Sequence, residues 1–338
     1  MSRARCASLA IIACLLCDPW AGARPGPVFT LEQMVESTDL IVVGRITGVR
    51  SGGIATVLDG TDHVPARRFF ANLRVYRVLK GTLSEGPATL RYDLPDQFIG
   101  WATPTPDADQ VFFLKREGSV YIVANPFFSS LSARRDGAVT GATALDRVIH
   151  ECAEIVRDPA SPPVTRKAML SRLAGAKTTE AAEALQSAAR ESNMEIHLHA
   201  IGLLTYRGDG DAWSEALRAL SHPPEGVAPD TVRNLARIVG NTAPSRGGVD
   251  ELAALAQSAV PRARRNLLSA LVETRTSAAI PVLTKALDDP DPDVRYTAVA
   301  GLAAVTGQWA LRPSPEDFHR DEATHLARWK QWSATHQP

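Results

Sequence analysis

The stretch that decides the fold is Ala278–Gly307, AAIPVLTKALDDPDPDVRYTAVAGLAAVTG. Ile280, Leu283 and Leu287 recur at helical spacing, so its first half reads as an amphipathic helix. Pro290 ends that helix, because the residue before a proline is pushed out of the α region. A second helix then starts with favourable chemistry. Asp291 is placed to cap the free amides, Pro292 suits the first helical position, and Asp293 puts a negative charge in the first turn, where the helix dipole favours it. Val294, Ala298, Leu302 and Val305 share one face of this second helix. Two short helices joined by a tight turn cannot bury their apolar faces alone, so they need neighbours of the same kind.

The neighbours are present. Reading four, five and eight positions on from Val294 gives Ala298, Val299 and Leu302. The same frame fits Ala263 with Leu267, Leu268 and Leu271, Thr231 with Leu235, Ala236 and Val239, and Ile196 with Ala200, Ile201 and Leu204. It fits Val164 more loosely, through Ala168 and Met169, and fails there at Arg172. These anchors are spaced 32, 35, 32 and 31 residues apart. The preceding helices repeat as well, through Cys152-Ala153, Ala184-Leu185, Ala216-Leu217, Ala254-Leu255 and Ala286-Leu287. Five helix pairs over residues 144–307 follow, which predicts an α-solenoid.

The segment DDPDPDVRYTAVAGLAAV (288–305) resembles the HEAT-repeat family in its short bacterial form, whose between-helix turn has the same Asp-Pro followed by Asp-Val-Arg. DPASPPVTRKAML (158–170) is a fainter copy. The resemblance covers residues 144–307 and implies a solenoid used as an interaction surface, with little to say about any particular function.

Residues 1–23 read as a secretory signal peptide: Arg3 and Arg5 precede an apolar run from Cys6 to Cys17, and Ala21-Gly22-Ala23 supplies a cleavage motif. Ile11-Ile12-Ala13-Cys14 loosely resembles a lipoprotein box, so a lipid anchor on Cys14 is the alternative. Removing the signal leaves 35 basic and 36 acidic residues, a near-neutral chain that argues against nucleic acid as the main partner. It also leaves one cysteine, Cys152, so stability is expected from packing rather than a disulfide. No run is long enough for an ordinary transmembrane helix. A periplasmic or secreted location is expected.

Between the signal and the helices the period changes. After a short helical stretch (Leu31–Ser37), the segments Asp39–Val49 (possible bulge at Gly44), Phe69–Leu79, Ala88–Tyr92, Gln110–Lys115 and Ser119–Ala124 read as strands. The inward set of the second is expected to be Phe70, Leu73, Val75 and Val78, with a phase change in the middle. Glu117-Gly118 is a hairpin signal, whereas Gly52–Pro65 and Pro95–Ala108, the latter with Trp101, read as surface loops. Asn125–Leu131 reads as a turn and an apolar segment docked on the helices.

The expected fold class is α+β in two domains: a small five-stranded β-barrel of the OB type over residues 27–135, then the solenoid, with a capping helix and tail at 308–338. The switch between Asn125 and Ala144 marks the expected boundary. STDLIVVGRITGV, LRVYRVLKG and QVFFLKREGSVYIVAN follow one another as in the OB-like netrin module, which this region resembles over residues 37–125. That module is shared with tissue inhibitors of metalloproteinases. Their amino-terminal cysteine and bracing disulfides have no counterpart after Arg24, so inhibition does not carry over with the resemblance.

No catalytic, cofactor or metal site is expected. Asp288, Asp289, Asp291 and Asp293 lack the glycine and terminal glutamate of a calcium loop and read as helix caps. His197 and His199 are two apart on a helix and face different ways. His319, Glu322 and His325 share a face but lack an assured further ligand. Cys152 reads as a buried thiol, and Leu326, Trp329 and Trp332 as a cap over the last repeat. The candidate partner-binding residues lie one or two positions beyond the anchors: Arg166, Arg233, Arg264, Arg265 and Arg295. They would form either a basic binding ridge or a structural ladder with the turn aspartates. The function expected is that of a non-catalytic scaffold for a protein or peptide in the cell envelope. Alternatives are an enzyme resembling the HEAT-type bilin lyases, or a protease inhibitor acting through the barrel.

Overall fold

In the computed structural model, residues 29–59, 62–83, 88–95, 104–125, 127–128, 130–258 and 260–336 are described. The expected signal peptide, Cys14 and Trp101 lie outside them. The chain is α+β and divides into two compact units, Met1–Ala188 and Ala189–Pro338. The strand-to-helix switch falls where the sequence places it, but the units part later, so the first helices belong with the sheet.

The first unit opens with α1 (Leu31–Glu36), whose start is a capping box between Thr30 and Gln33. Six strands follow: β1 (Leu40–Asp59), β2 (Asp62–Lys80), β3 (Ala88–Pro95), β4 (Asp109–Glu117), β5 (Val120–Val123) and β6 (Ser130–Ser132). Their order is β1-β2-β3-β5-β4-β6, and β1 also pairs with β4, which closes a ring through five strands. All pairings are antiparallel except β3 with β5. Leu40, Val42, Leu73, Leu90, Phe112 and Leu114 are central to the buried interior. Gly118, at φ 60°, makes the turn between β4 and β5.

Three expectations for this region need correction. Among the described residues Gly52–Pro65 is not a loop: β1 and β2 pair through it from Gly53–Arg68 to Asp59–Asp62, with Gly52 and Gly53 at a bulge. Phe70 does not face inward; Phe69 packs against the core and stacks on Tyr92 at 5.4 Å. The phase change sits later, at Tyr76, which is left unpaired between the Val43–Arg77 and Gly44–Val75 pairs, so Leu73, Val75 and Val78 all reach the core. Gly44 is needed at this bulge, since a Cβ there would meet Arg74 O at 2.6 Å. Finally, the apolar segment around Leu131 forms β6 on β4. Phe128 packs edge-on to Phe113, with the guanidinium of Arg172 4.2 Å from its ring.

Three helices complete the unit: α2 (Ala144–Arg157), α3 (Pro163–Leu173) and α4 (Thr179–Ala188). Arg77 on β2 holds Glu151 of α2 in a two-pronged ion pair, and Arg147 donates to Leu79 O at 3.0 Å. In α3 the repeat frame is two residues off the expected one. Val164 is 71% exposed and Ala168 is exposed, whereas Arg166, Leu170, Ser171 and Ala174 are buried at the anchor, fourth, fifth and eighth positions. Arg166 takes the anchor because its Nε donates to Val156 O at 2.8 Å, one of the carbonyls left open at the end of α2.

The second unit is helical: α5 (Met194–Tyr206), α6 (Gly210–Ser221), α7 (Pro229–Arg246), α8 (Val249–Ser258), α9 (Pro261–Glu273), α10 (Ala279–Ala286), α11 (Pro292–Val305), a 3-10 turn (Trp309–Leu311), α12 (Pro315–Arg320) and α13 (Glu322–Thr335). α7, α9 and α11 each carry proline in the first turn, and Asn193 and Asp291 cap α5 and α11 through their side chains. The anchors Ile196, Thr231, Ala263 and Val294 are all buried with their frame partners. These helices pack in succession, α5 on α7, α7 on α9 and α9 on α11. In α8 the buried residues are Leu252 and Ala256, not the Ala254-Leu255 pair read from the repeat. α13 covers the last pair, with Trp329 fully buried and Trp332 edge-on to it at 5.5 Å.

Candidate interaction surface

The five arginines singled out by spacing differ in burial and in partner. Arg166 is buried in the first unit. Arg233 is exposed and pairs within its own helix with Asp230, at 3.0 Å. Arg264 sends a fork to the next turn: Nε to Asp289 Oδ2 at 2.7 Å and Nη2 to Asp289 Oδ1 at 2.8 Å. Arg265 reaches Asp293 at 2.8 Å in a solvent-facing pair. Arg295 holds Glu322 on α13 and donates to Asp289 O at 2.7 Å and Pro290 O at 2.9 Å.

Three residues one place beyond an anchor thus link successive elements: His197 to Glu215, Arg264 to Asp289, Arg295 to Glu322. Burial pushes the Asp289 carboxyl up, but the Arg264 fork and the Asp291 N–H outweigh it and hold it below the ordinary range. Its contribution is therefore present at neutral pH and lost as pH falls through the acid range. Arg264→Ala, which strands a carboxylate only 9% exposed, should cost about 2 kcal/mol. Arg233→Glu should cost less than about 1 kcal/mol, because both members of its pair lie in solvent. Thermal melts of the two variants read the difference.

Two open grooves lie on the second unit, each of about 260 Å³. The first is lined by Met194, His197, Leu198, Glu215, Arg218 and His222, between α5 and α6. His197 Nδ1 donates to Ala189 O at 2.7 Å, and its Nε2 faces Glu215 at 3.3 Å. The second is lined by Gln257, Arg264, Leu268, Lys285, Asp288 and Asp289, where α8, α9 and α10 meet. Both have buried leucines in the floor, Leu198 and Leu268, and charged groups at the rim. Such grooves suit single side chains of a bound polypeptide.

Several of the groups considered for chemistry are held in other contacts. Cys152 is fully buried, and burial pushes its thiol up to about 12, far from a thiolate at neutral pH. Glu322 is held by Arg295, while His319 stands 4.0 Å from Asp293. Asp291 accepts the amides of Asp293 and Val294 as a helix cap. Among the described residues no three His, Cys, Asp or Glu side chains gather as metal ligands. No helix among them is long and apolar enough to cross a membrane.

Residues 215–303 match the HEAT repeats family. The match runs from α6 to α11 and contains the second groove entirely. No curated protein matches the chain. The matched residues include Arg233, Arg264, Arg265 and Arg295; the His197 groove begins just before them. Spacing found the arginines, and the ladder it offered with the turn aspartates matches the partners of Arg264 and Arg265; it missed Glu322 as the partner of Arg295, and the grooves, which join residues from separate helices.

Proposed function

We propose that the chain is a non-catalytic interaction protein of the cell envelope, which holds a protein or peptide partner along the HEAT region of its second unit. The family match over residues 215–303 carries this reading, since HEAT repeats generally mediate protein interaction. The two side-chain-sized grooves support it. So does the use of Arg264 and Arg295 as links, which leaves the groove rims, rather than an arginine ridge, to meet a partner. The first unit is a barrel of the OB type in this reading, supported by the closed five-strand ring and the parallel β3–β5 pairing.

Export rests on the charged start, apolar run and Ala21-Gly22-Ala23 motif, with cleavage after Ala23. Amino-terminal sequencing of the protein made in a bacterial host should read from Arg24. A lipidated Cys14 at the start would make the protein membrane-anchored, and an intact Met1 would end the export reading. For partner binding, the mature chain is used to capture envelope proteins beside an Arg218→Glu/Lys285→Glu variant. Loss of a captured protein with an unchanged melt is the expected result, and equal capture by both would remove the grooves from the reading.

A further inference from the structure

A second surface lies on the first unit, on the outer face of its longest strands. Ala71, Leu73 and Val75 point into the core, so by alternation Phe70, Asn72 and Arg74 of β2 point away from it. The register sets Arg50 of β1 and Arg91 of β3 on either side of Phe70, making a row across three strands. Arg50 lies over the Phe70 ring, 4.5 Å from its centre. Further along β2, Tyr76 stands beneath two guanidiniums: Arg74 at 5.9 Å and Arg135 at 5.0 Å.

The charges do not balance. Arg45, Arg68 and Arg91 are held by Asp109, Asp93 and Glu117. Arg50, Arg74 and Arg135 have no carboxylate partner among the described residues. Two of these three come from segments 61 residues apart in sequence, yet they share one ring. A guanidinium lying on a ring is restrained and keeps its in-plane N–H groups free, the geometry that takes a carboxylate in two-pronged fashion.

We propose that this face binds an extended acidic segment of a protein partner, with carboxylates meeting Arg50 at one end and the Arg74–Arg135 pair at the other. Phe70 and Tyr76 are six residues apart on β2, roughly 20 Å, so an acidic stretch of about seven extended residues spans them. One further feature favours a polypeptide over a glycan or nucleic acid. The rings already carry guanidiniums, so no bare aromatic platform is offered to a sugar or a base.

The test uses the full mature chain and a fluorescent peptide of alternating glutamate and valine, read by anisotropy over a salt series. Binding should weaken with salt, and Arg50→Gln/Arg74→Gln/Arg135→Gln should weaken it at least about tenfold, while the melt stays nearly unchanged because these groups are exposed. The Arg218→Glu/Lys285→Glu variant should bind the peptide as the parent does, which separates this surface from the grooves. Equal binding of a lysine–valine peptide, or no effect of the triple variant, would overturn the proposal. Tighter binding of heparin or of oligothymidine through the same arginines would also overturn it, replacing the peptide with another polyanion.

Discussion

Replacing Glu151 with alanine should lower the unfolding midpoint of the first unit by roughly 10 °C. The carboxylate meets Arg77 with both oxygens, and the two side chains are only 6% and 10% exposed. Arg77 also donates to Arg134 O at 2.7 Å, so its guanidinium is tied in place and cannot turn out to solvent. Truncating Glu151 leaves that cation buried without a counter-charge, a loss of about 3–5 kcal/mol. In a unit of this size each kcal/mol moves the midpoint by about 2–4 °C. The double variant Arg77→Met/Glu151→Leu should recover most of the loss, because two apolar side chains replace two desolvated charges. Circular dichroism melts followed at strand and helix wavelengths check both. A Glu151→Ala protein that melts like the parent would mean that α2 is not held to β2 by this pair.

Gly240→Ala should be the most damaging single methyl in the second unit. Its Cβ would stand 2.1 Å from Ala270 O and 2.6 Å from the Glu273 Cβ, so the backbones of α7 and α9 would have to part. Alanine favours a helix over glycine by about 1 kcal/mol, but forced separation of packed helices costs about 3 kcal/mol or more, and the second term wins. Gly202→Ala is the control. There the new methyl meets the Ile238 Cδ1 at 2.8 Å, the end of a side chain that can turn aside. Urea unfolding should give a clearly lower midpoint for the first variant and a small change of either sign for the second.

The repeat was legible where an uncharged residue holds the anchor: Ile196, Thr231, Ala263 and Val294 all lie buried in the frame read from the sequence. It was misread in α3 because hydropathy picks Val164, while the residue that goes inside is Arg166, made tolerable by a carbonyl ten positions earlier. The same limit applies in the sheet. Phe69 and Phe70 are equally apolar, and only the bulge at Tyr76 sets which one faces the core. Glycines at 52 and 53 suggested a loop because strand bulges and turns draw on the same residue. Repeat spacing could offer the turn aspartates to Arg264 and Arg265, but the pair that ties α2 to β2 was invisible to it, because Arg77 and Glu151 are 74 residues apart and belong to different kinds of element.

Repeat arrays lengthen by tandem duplication, and a copied unit must suit its new neighbours. The pair formed by α2 and α3 cannot travel in that way. Its α2 carries Glu151, and the cation that makes this carboxylate tolerable in the interior belongs to a strand that would not be copied with it. Set down inside the array, the duplicate would bring an orphan charge into a buried seam. Insertions and deletions of repeats in descendants of this sequence should therefore fall after Ala188, with the strand-anchored pair retained as a single founding copy.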